Sequence, residues 1–215
     1  MHFTLADLVA DITQNAAESG ADTVELEIRE TFSEKAEFRF IVKDNGKGMS
    51  GADLDRAVDP FVTDGIKHPG RRIGLGLPFL IQTALQSGGG WRIRSVRNGE
   101  SVLRGSDTAG AASGNAVPDA GARPGAESGT AVEAWFDPAN VDTPPAGDIP
   151  GLFRTVMLFS GPGEIILKRS RTGGPDPELN YEVTKSDLAG ALGDMEDASS
   201  LALLGRYLRS LEGEE

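Results

Sequence analysis

The apolar positions of this chain change period repeatedly, and the changes mark its elements. Leu5, Leu8, Val9, Ile12 and Ala16 recur at helical spacing, which predicts a core-facing helix over residues 3 to about 19, stopped by Gly20. Val24, Leu26 and Ile28 alternate, as do Phe38, Phe40 and Val42. Two half-buried strands joined by the short "FSEKA" predict an antiparallel hairpin. "GADLDRAVDPF" predicts a short helix ending near Pro60. "LGLPFLIQTALQSG" predicts another, with Pro78 in its first turn, where proline is tolerated. Between them "VTDGIKHPGRRIG" has no periodicity and carries glycines and basic residues, the pattern of a mobile loop. "GGGWRIRSVRNGESVLRG" reads as a hairpin turning at Asn98-Gly99, and "GTAVEAWF" as a further strand.

Two shifts in composition interrupt this pattern. Residues 106 to 128, "SDTAGAASGNAVPDAGARPGAES", have almost nothing to bury and predict a disordered loop inserted into a sheet, because strand patterns lie on both sides. The second shift is at "DPANVDTPPAGD". Beyond it come a helical pattern ("IPGLFRTVMLFSG"), a strand pair ("GEIILKRS" and "LNYEVTK"), a helix capped by Ser186 or Asp187, and a final helix in "SSLALLGRYLRSLEGEE". The expected organisation is a domain over residues 1–137 and a small helix-strand appendage over 138–215, of α+β class. No internal repeat is visible.

At 215 residues the chain can bury a core without staples. It has no cysteine, which excludes disulfides and thiolate metal sites and fits a reducing compartment. "MHFTLADLVAD" lacks the basic-then-apolar pattern of a secretory signal, and no run approaches the ~20 apolar residues of a membrane span. A soluble, cytoplasmic protein that does not engage a membrane is therefore expected. A formal net charge of -12 weighs against a nucleic-acid backbone as the main partner.

Three stretches carry candidate chemistry. "DNGKGM" directly follows a strand, so Asp44 sits at a strand end. Gly46 and Gly48 would let the backbone turn sharply and approach a flat or anionic ligand, although an ordinary glycine turn has the same composition. An EF-hand loop is excluded because the alternating acidic ligands and closing Glu are missing. In "GRRIGLGL", Gly74 and Gly76 precede a helix whose first amides and dipole could receive phosphate. A Rossmann reading lacks the third glycine and the leading strand, and the absence of GK[ST] excludes a P-loop. The third stretch is "DITQNAAESGAD". Asn15 falls on the edge of the first helix's apolar stripe, with Asp11 one turn earlier on the same side and Glu18 after it. This polar seam is either a solvated acidic flank or a metal–phosphate site, since an amide oxygen and a carboxylate suit the hard Mg²⁺ ion.

The order of these pieces resembles the GHKL ATPase superfamily: D-x-x-x-N on a helix, D-x-G-x-G at a strand end, a loop, G-x-G opening a helix, then "GTAVEAWF". This group includes DNA gyrase B, the Hsp90 chaperones, sensor histidine kinases, MutL and the anti-sigma serine kinases, and the resemblance covers roughly residues 3 to 137. It implies a Bergerat fold, a two-layer α/β sandwich with helices on one face of a mixed sheet. It implies ATP and Mg²⁺ as cofactors, with Asn15 as the Mg²⁺ ligand and Asp44 accepting a hydrogen bond from the adenine amino group. Gly46, Gly48 and Met49 would line the adenine pocket, and Thr130 would support it beside Asp44. Val62 to Arg72 corresponds to the ATP lid, where Lys67, Arg71 or Arg72 could neutralise phosphate, and Gly74 and Gly76 would contact phosphates.

Two features depart from the family pattern. Asp11 occupies the catalytic position where hydrolysing members carry Glu, and aspartate reaches one methylene less far. The only histidines are His2 and His68, neither on a helix upstream of the ATP site, so no self-phosphorylated histidine is expected. What remains is an ATPase or kinase acting on a separate partner protein. The alternative is a non-enzymatic switch in which ATP binding is read by a partner. The sequence carries no signature of oligomeric state.

Overall fold

The computed structural model describes residues 4–60, 76–106, 128–195 and 197–213. In chain order its elements are α1 (Leu5–Ala17), β1 (Thr23–Thr31), β2 (Glu37–Asp44), α2 (Gly51–Val58), α3 (Gly76–Gln86), β3 (Gly90–Arg97), β4 (Glu100–Gly105), β5 (Gly129–Phe136), α4 (Ile149–Met157), β6 (Glu164–Thr172), β7 (Leu179–Thr184), α5 (Lys185–Leu192) and α6 (Ala198–Leu211). The strands form one mixed sheet in the order β4-β3-β5-β2-β1-β6-β7. All neighbours are antiparallel except β1 and β6. This is the α+β, Bergerat-type architecture expected from the sequence.

Helix α1 is shorter than the 3–19 span predicted from its periodicity, because its ends are claimed by caps. The Thr4 hydroxyl accepts from the Asp7 amide at 3.1 Å, and the Asp7 carboxylate accepts from the Thr4 amide at 3.2 Å. This reciprocal box satisfies two of the orphan donors of the first turn. The helix buries Leu5, Leu8, Val9, Ile12 and Ala16 and leaves Asn15 exposed. At α5 the cap is Thr184, rather than the expected Ser186 or Asp187. The Thr184 hydroxyl accepts from the Asp187 amide at 3.1 Å, so β7 runs straight into the helix.

The two faces of the sheet differ because the strands alternate. On one face Leu26, Ile28, Phe38, Phe40, Ile93, Ala134, Phe136, Ile165 and Leu167 form the core with the helices. On the other, long charged side chains pair with one another. Lys43 and Lys168 bind Glu25, and Arg39 binds Glu37 and Glu133. The guanidinium of Arg39 also lies 5.0 Å from the centroid of the Trp135 ring. On this charged face Ile41 is only 2 % exposed.

Residues beyond 137 continue the same sheet and core. β6 pairs with β1 in parallel from Thr23–Glu164 to Thr31–Thr172, and α4 packs on α1 with Phe153, Val156 and Met157 fully buried. The break at residue 137 is thus one of composition and not of the sheet. Toward the end of β6, Arg169 is 2 % exposed and donates to Glu30 at 2.6 Å and to Glu212 at 3.1 Å. The Tyr181 hydroxyl donates to the same Glu212 carboxylate at 2.6 Å. Burial, together with that carboxylate, holds the phenol far above its ordinary range.

The predicted lid, with Lys67, Arg71, Arg72 and Gly74, lies outside the described residues, as do His2, His68 and all but the ends of the low-complexity loop. Among the described residues no helix is long and apolar enough to cross a membrane.

Candidate functional site

The apolar stripe across the middle of the sheet ends in a polar rung. Asp44, the last residue of β2, is in register with Thr130 on β5, which is in register with Ser95 on β3. The rung before it along the same face is Val42–Val132–Ile93. Strand alternation therefore points three polar side chains at the rim of the core, and each is buried.

Buried polar groups need partners. The Ser95 hydroxyl accepts from the Met49 amide at 2.8 Å, donates to the Gly129 carbonyl at 3.2 Å and lies 2.9 Å from the Thr130 hydroxyl. With its own hydrogen given to Gly129, Ser95 accepts from Thr130. Asp44 is 6 % exposed, and its Oδ1 accepts from the Gly46 amide at 2.9 Å and from the Ser19 hydroxyl at 3.1 Å. Burial pushes its carboxyl up to about 6. Donation from the Gly46 amide, the Ser19 hydroxyl and the Thr130 amide draws it partly back.

The loop after Asp44 is fixed at both ends. The Asn45 side chain accepts from the Thr23 amide at 2.8 Å, the Lys47 amide donates to the Ser19 carbonyl at 3.4 Å, and Met49 is held by Ser95. Gly48 has φ +62°, and a Cβ there would lie 1.8 Å from the Val96 carbonyl oxygen. A Cβ on Gly46 would lie 2.0 Å from the Ser19 hydroxyl. At Gly48 the backbone geometry and the fixed Val96 carbonyl exclude any side chain, and at Gly46 a side chain would have to displace Ser19 from Asp44. This is a tighter requirement than an ordinary glycine turn imposes.

The opposite wall is α1. Asn15 is exposed one turn before Ser19, and its side chain makes no hydrogen bond among the described residues. Its Nδ2 lies 3.5 Å from where a Cβ on Gly76 would stand, so the first residue of α3 is beside it. The first amides of that helix have no intrahelical acceptor, and its dipole favours an anion there. Asp11 is half-buried one turn further up α1.

Of the residues singled out from the sequence, Asn15, Asp44, Gly46, Gly48, Met49, Gly76 and Thr130 thus surround α1 and the β2 end. Lys67 and Gly74 are outside the described residues. Sequence reasoning missed Ser19 and Ser95. For Ser95 the available signal was a polar residue two positions after Ile93, on the core-facing side of a strand. For Ser19 it was the one-turn spacing from Asn15. One end of the site offers a buried acceptor among apolar groups, suited to the amino edge of a flat heterocycle. The other offers an exposed amide and a helix N-terminus, suited to an anion.

Residues 3–139 match the family profile described as histidine kinase-, DNA gyrase B-, and HSP90-like ATPase. Among solved structures, the chain is similar to the crystal structure of the N-terminal domain of a DNA repair protein, at 9 % identity and a TM-score of 0.47. That match covers 89 % of this chain and 57 % of the other, so this chain spans little more than half the length of that one. A comparison with curated proteins finds no match.

Proposed function

This chain belongs to the histidine kinase-, DNA gyrase B- and HSP90-like ATPase family, and from that premise we propose that it binds Mg-ATP between α1, the Asp44–Met49 loop and the start of α3, and acts with it on a separate protein. Membership brings ATP binding and an ATPase-like activity class. The finer roles are our reading of the residues.

In this reading the ionised Asp44 carboxylate accepts the adenine amino hydrogen. Guanine presents an oxygen at that position and would leave the carboxylate without a donor, a mismatch that buried acceptors tolerate poorly. Gly46, Gly48 and Met49 frame the base, with Thr130 behind Asp44. The phosphates lie toward the first amides of α3 at Gly76. Lys67 and Gly74 are assigned to the phosphates through the family pattern alone. Asn15 supplies an amide oxygen to Mg²⁺. No cluster of three or more His, Cys, Asp or Glu side chains able to cage a cation occurs among the described residues. A single exposed amide suits an ion that takes its remaining ligands from phosphates and water. The bound ion would neutralise phosphate charge during transfer, and the protein's part is positioning. Asp11 is the candidate to orient the attacking group. Every residue invoked precedes residue 137, and we assign residues 138–215 the role of backing α1 and β1.

The observation that carries this reading is the convergence of a buried Asp44, two glycines at which a Cβ would collide with the site's own atoms, and Asn15 beside Gly76. The test is calorimetric titration with a non-hydrolysable ATP analogue, its GTP counterpart and ADP, with and without Mg²⁺. Saturable binding of the adenine ligands, tighter with Mg²⁺ and absent for the guanine ligand, is expected. No heat with any of them would end the proposal. The short reach of Asp11 favours a second reading, in which the nucleotide is bound but not turned over and a partner reads the bound state. Phosphate release no higher than in Asn15→Ala, with no protein phosphorylated in extract, would select that switch.

A further inference from the structure

Ser19 lies just beyond α1, and three separate contacts converge on it. Its hydroxyl donates to Asp44 Oδ1 at 3.1 Å, across 25 residues of chain. Its carbonyl accepts from the Lys47 amide at 3.4 Å. Its hydroxyl also fills the space in which a Cβ on Gly46 would stand, at 2.0 Å. Ser19 thus touches the carboxylate, the first glycine and the loop between the two glycines. The Gly46 amide donates to the same Oδ1 at 2.9 Å, so both donors converge on one oxygen and Oδ2 takes neither bond.

We propose that Ser19 is a positioning residue of the nucleotide site: its hydroxyl fixes the rotamer of Asp44, holds Oδ1, and presents Oδ2 to the amino group of an adenine base. The proposal rests on the nucleotide reading given above. The physical argument is one of counting. A buried carboxylate with fewer donors is freer to rotate about its last torsion, which is broad for Asp, and to exchange its two oxygens. Beside the Thr130 amide on β5, the two donors on Oδ1 come from different elements, one on the loop and one on the helix end, and together they fix the torsion and the oxygen that faces the ligand. Donation to the ionised form also keeps Asp44 charged at neutral pH against the pull of burial. Among the described residues no charged side chain shares that task. Burial, Gly46, Ser19 and Thr130 are the contributors at Asp44, the nearby Glu18 and Lys47 are exposed, and Glu25 and Glu133 belong to the opposite face of the sheet.

Ser19→Ala removes the hydroxyl and keeps the backbone bond to Lys47, so the loop stays attached. Ser19→Thr restores a hydroxyl. The experiment measures binding of a non-hydrolysable ATP analogue from pH 5 to pH 8 for the wild type and both variants, together with the Asp44 carboxyl ¹³C titration in nucleotide-free protein. Loss of one such hydrogen bond corresponds to about 2- to 10-fold weaker binding at neutral pH. In Ser19→Ala the pH below which binding collapses is expected to rise by roughly half a unit to one unit, the carboxyl titration to rise with it, and Ser19→Thr to recover both. A purely packing role would lower unfolding stability and leave both pH midpoints where they are, and that result overturns the proposal. If the wild type binds no nucleotide, the functional reading fails. The carboxyl titration then still decides whether Ser19 positions Asp44: an unchanged midpoint in Ser19→Ala overturns that as well.

Discussion

Asp44→Asn keeps the shape of the side chain and removes its charge, which separates what this residue does for binding from what it costs the fold. The carboxyl titrates at about 6 in the folded protein against an ordinary value of 3.8. Between these values the folded state holds a proton that the unfolded chain has released. Stability therefore falls as pH rises from about 4 to about 6 and stays lowered above it. At about 1.4 kcal/mol per pH unit the deficit is on the order of 3 kcal/mol. Asparagine offers Gly46 and Ser19 the same acceptor without a charge to desolvate. Urea unfolding at five pH values from 4 to 8 is the assay. The variant and the wild type are expected to coincide near pH 4. By pH 8 the variant is expected to be the more stable by up to about 3 kcal/mol, a midpoint shift of about 1 M urea. The same variant is expected to lose adenine-nucleotide binding. A variant less stable than the wild type at pH 8, or a difference independent of pH, would refute the assignment of a buried, ionised Asp44.

Three further variants probe other parts of the same structure. Asn15→Ala should leave the fold unchanged or up to about 0.7 kcal/mol more stable, because an exposed mid-helix Asn is a poor helix former, while Mg²⁺-dependent nucleotide binding disappears; denaturation and calorimetry on one sample check both. Gly48→Ala should destabilise by about 2 to 4 kcal/mol in chemical denaturation, from a left-handed φ and a Cβ driven into the Val96 carbonyl. Arg169→Met should cost about 3 to 5 kcal/mol at neutral pH, since it takes the buried cation from Glu30 and leaves Glu212 only Tyr181 and the more distant Arg171; a loss under 1 kcal/mol by the same assay would contradict the burial of that cluster.

What could be read from the sequence is what is encoded locally. α1, β1 and β2 announce themselves by period, and the β3–β4 turn by Asn98-Gly99, where both residues have positive φ. The parallel pairing of β1 with β6 has no local signature. It joins segments some 140 residues apart, and the composition shift at "DPANVDTPPAGD" between them reads as a boundary. β5 is buried at almost every position, so alternation alone did not tell which of its faces carries Thr130. The site divides in the same way. Asp44, Gly46 and Gly48 stand in a recognisable string, and Asn15 has an expected place on its helix. Ser19 and Ser95 are small polar residues whose role comes only from contacts 25 and 35 residues away.

The placement of Asn15 and Ser19 has one more consequence. They stand four residues apart on a helix and its closing turn, which sets them about 6 Å apart along one rigid rod, on nearly the same side. In the proposed site, one faces the end assigned to the phosphates and the other the end assigned to the base. α1 is therefore a gauge whose marks are fixed by peptide geometry. Side chains around it can drift, but inserting one residue between the marks would swing Ser19 through about 100° and part it from Asp44. The residue count between these two positions is a stricter constraint on this protein than the identity of any residue between them.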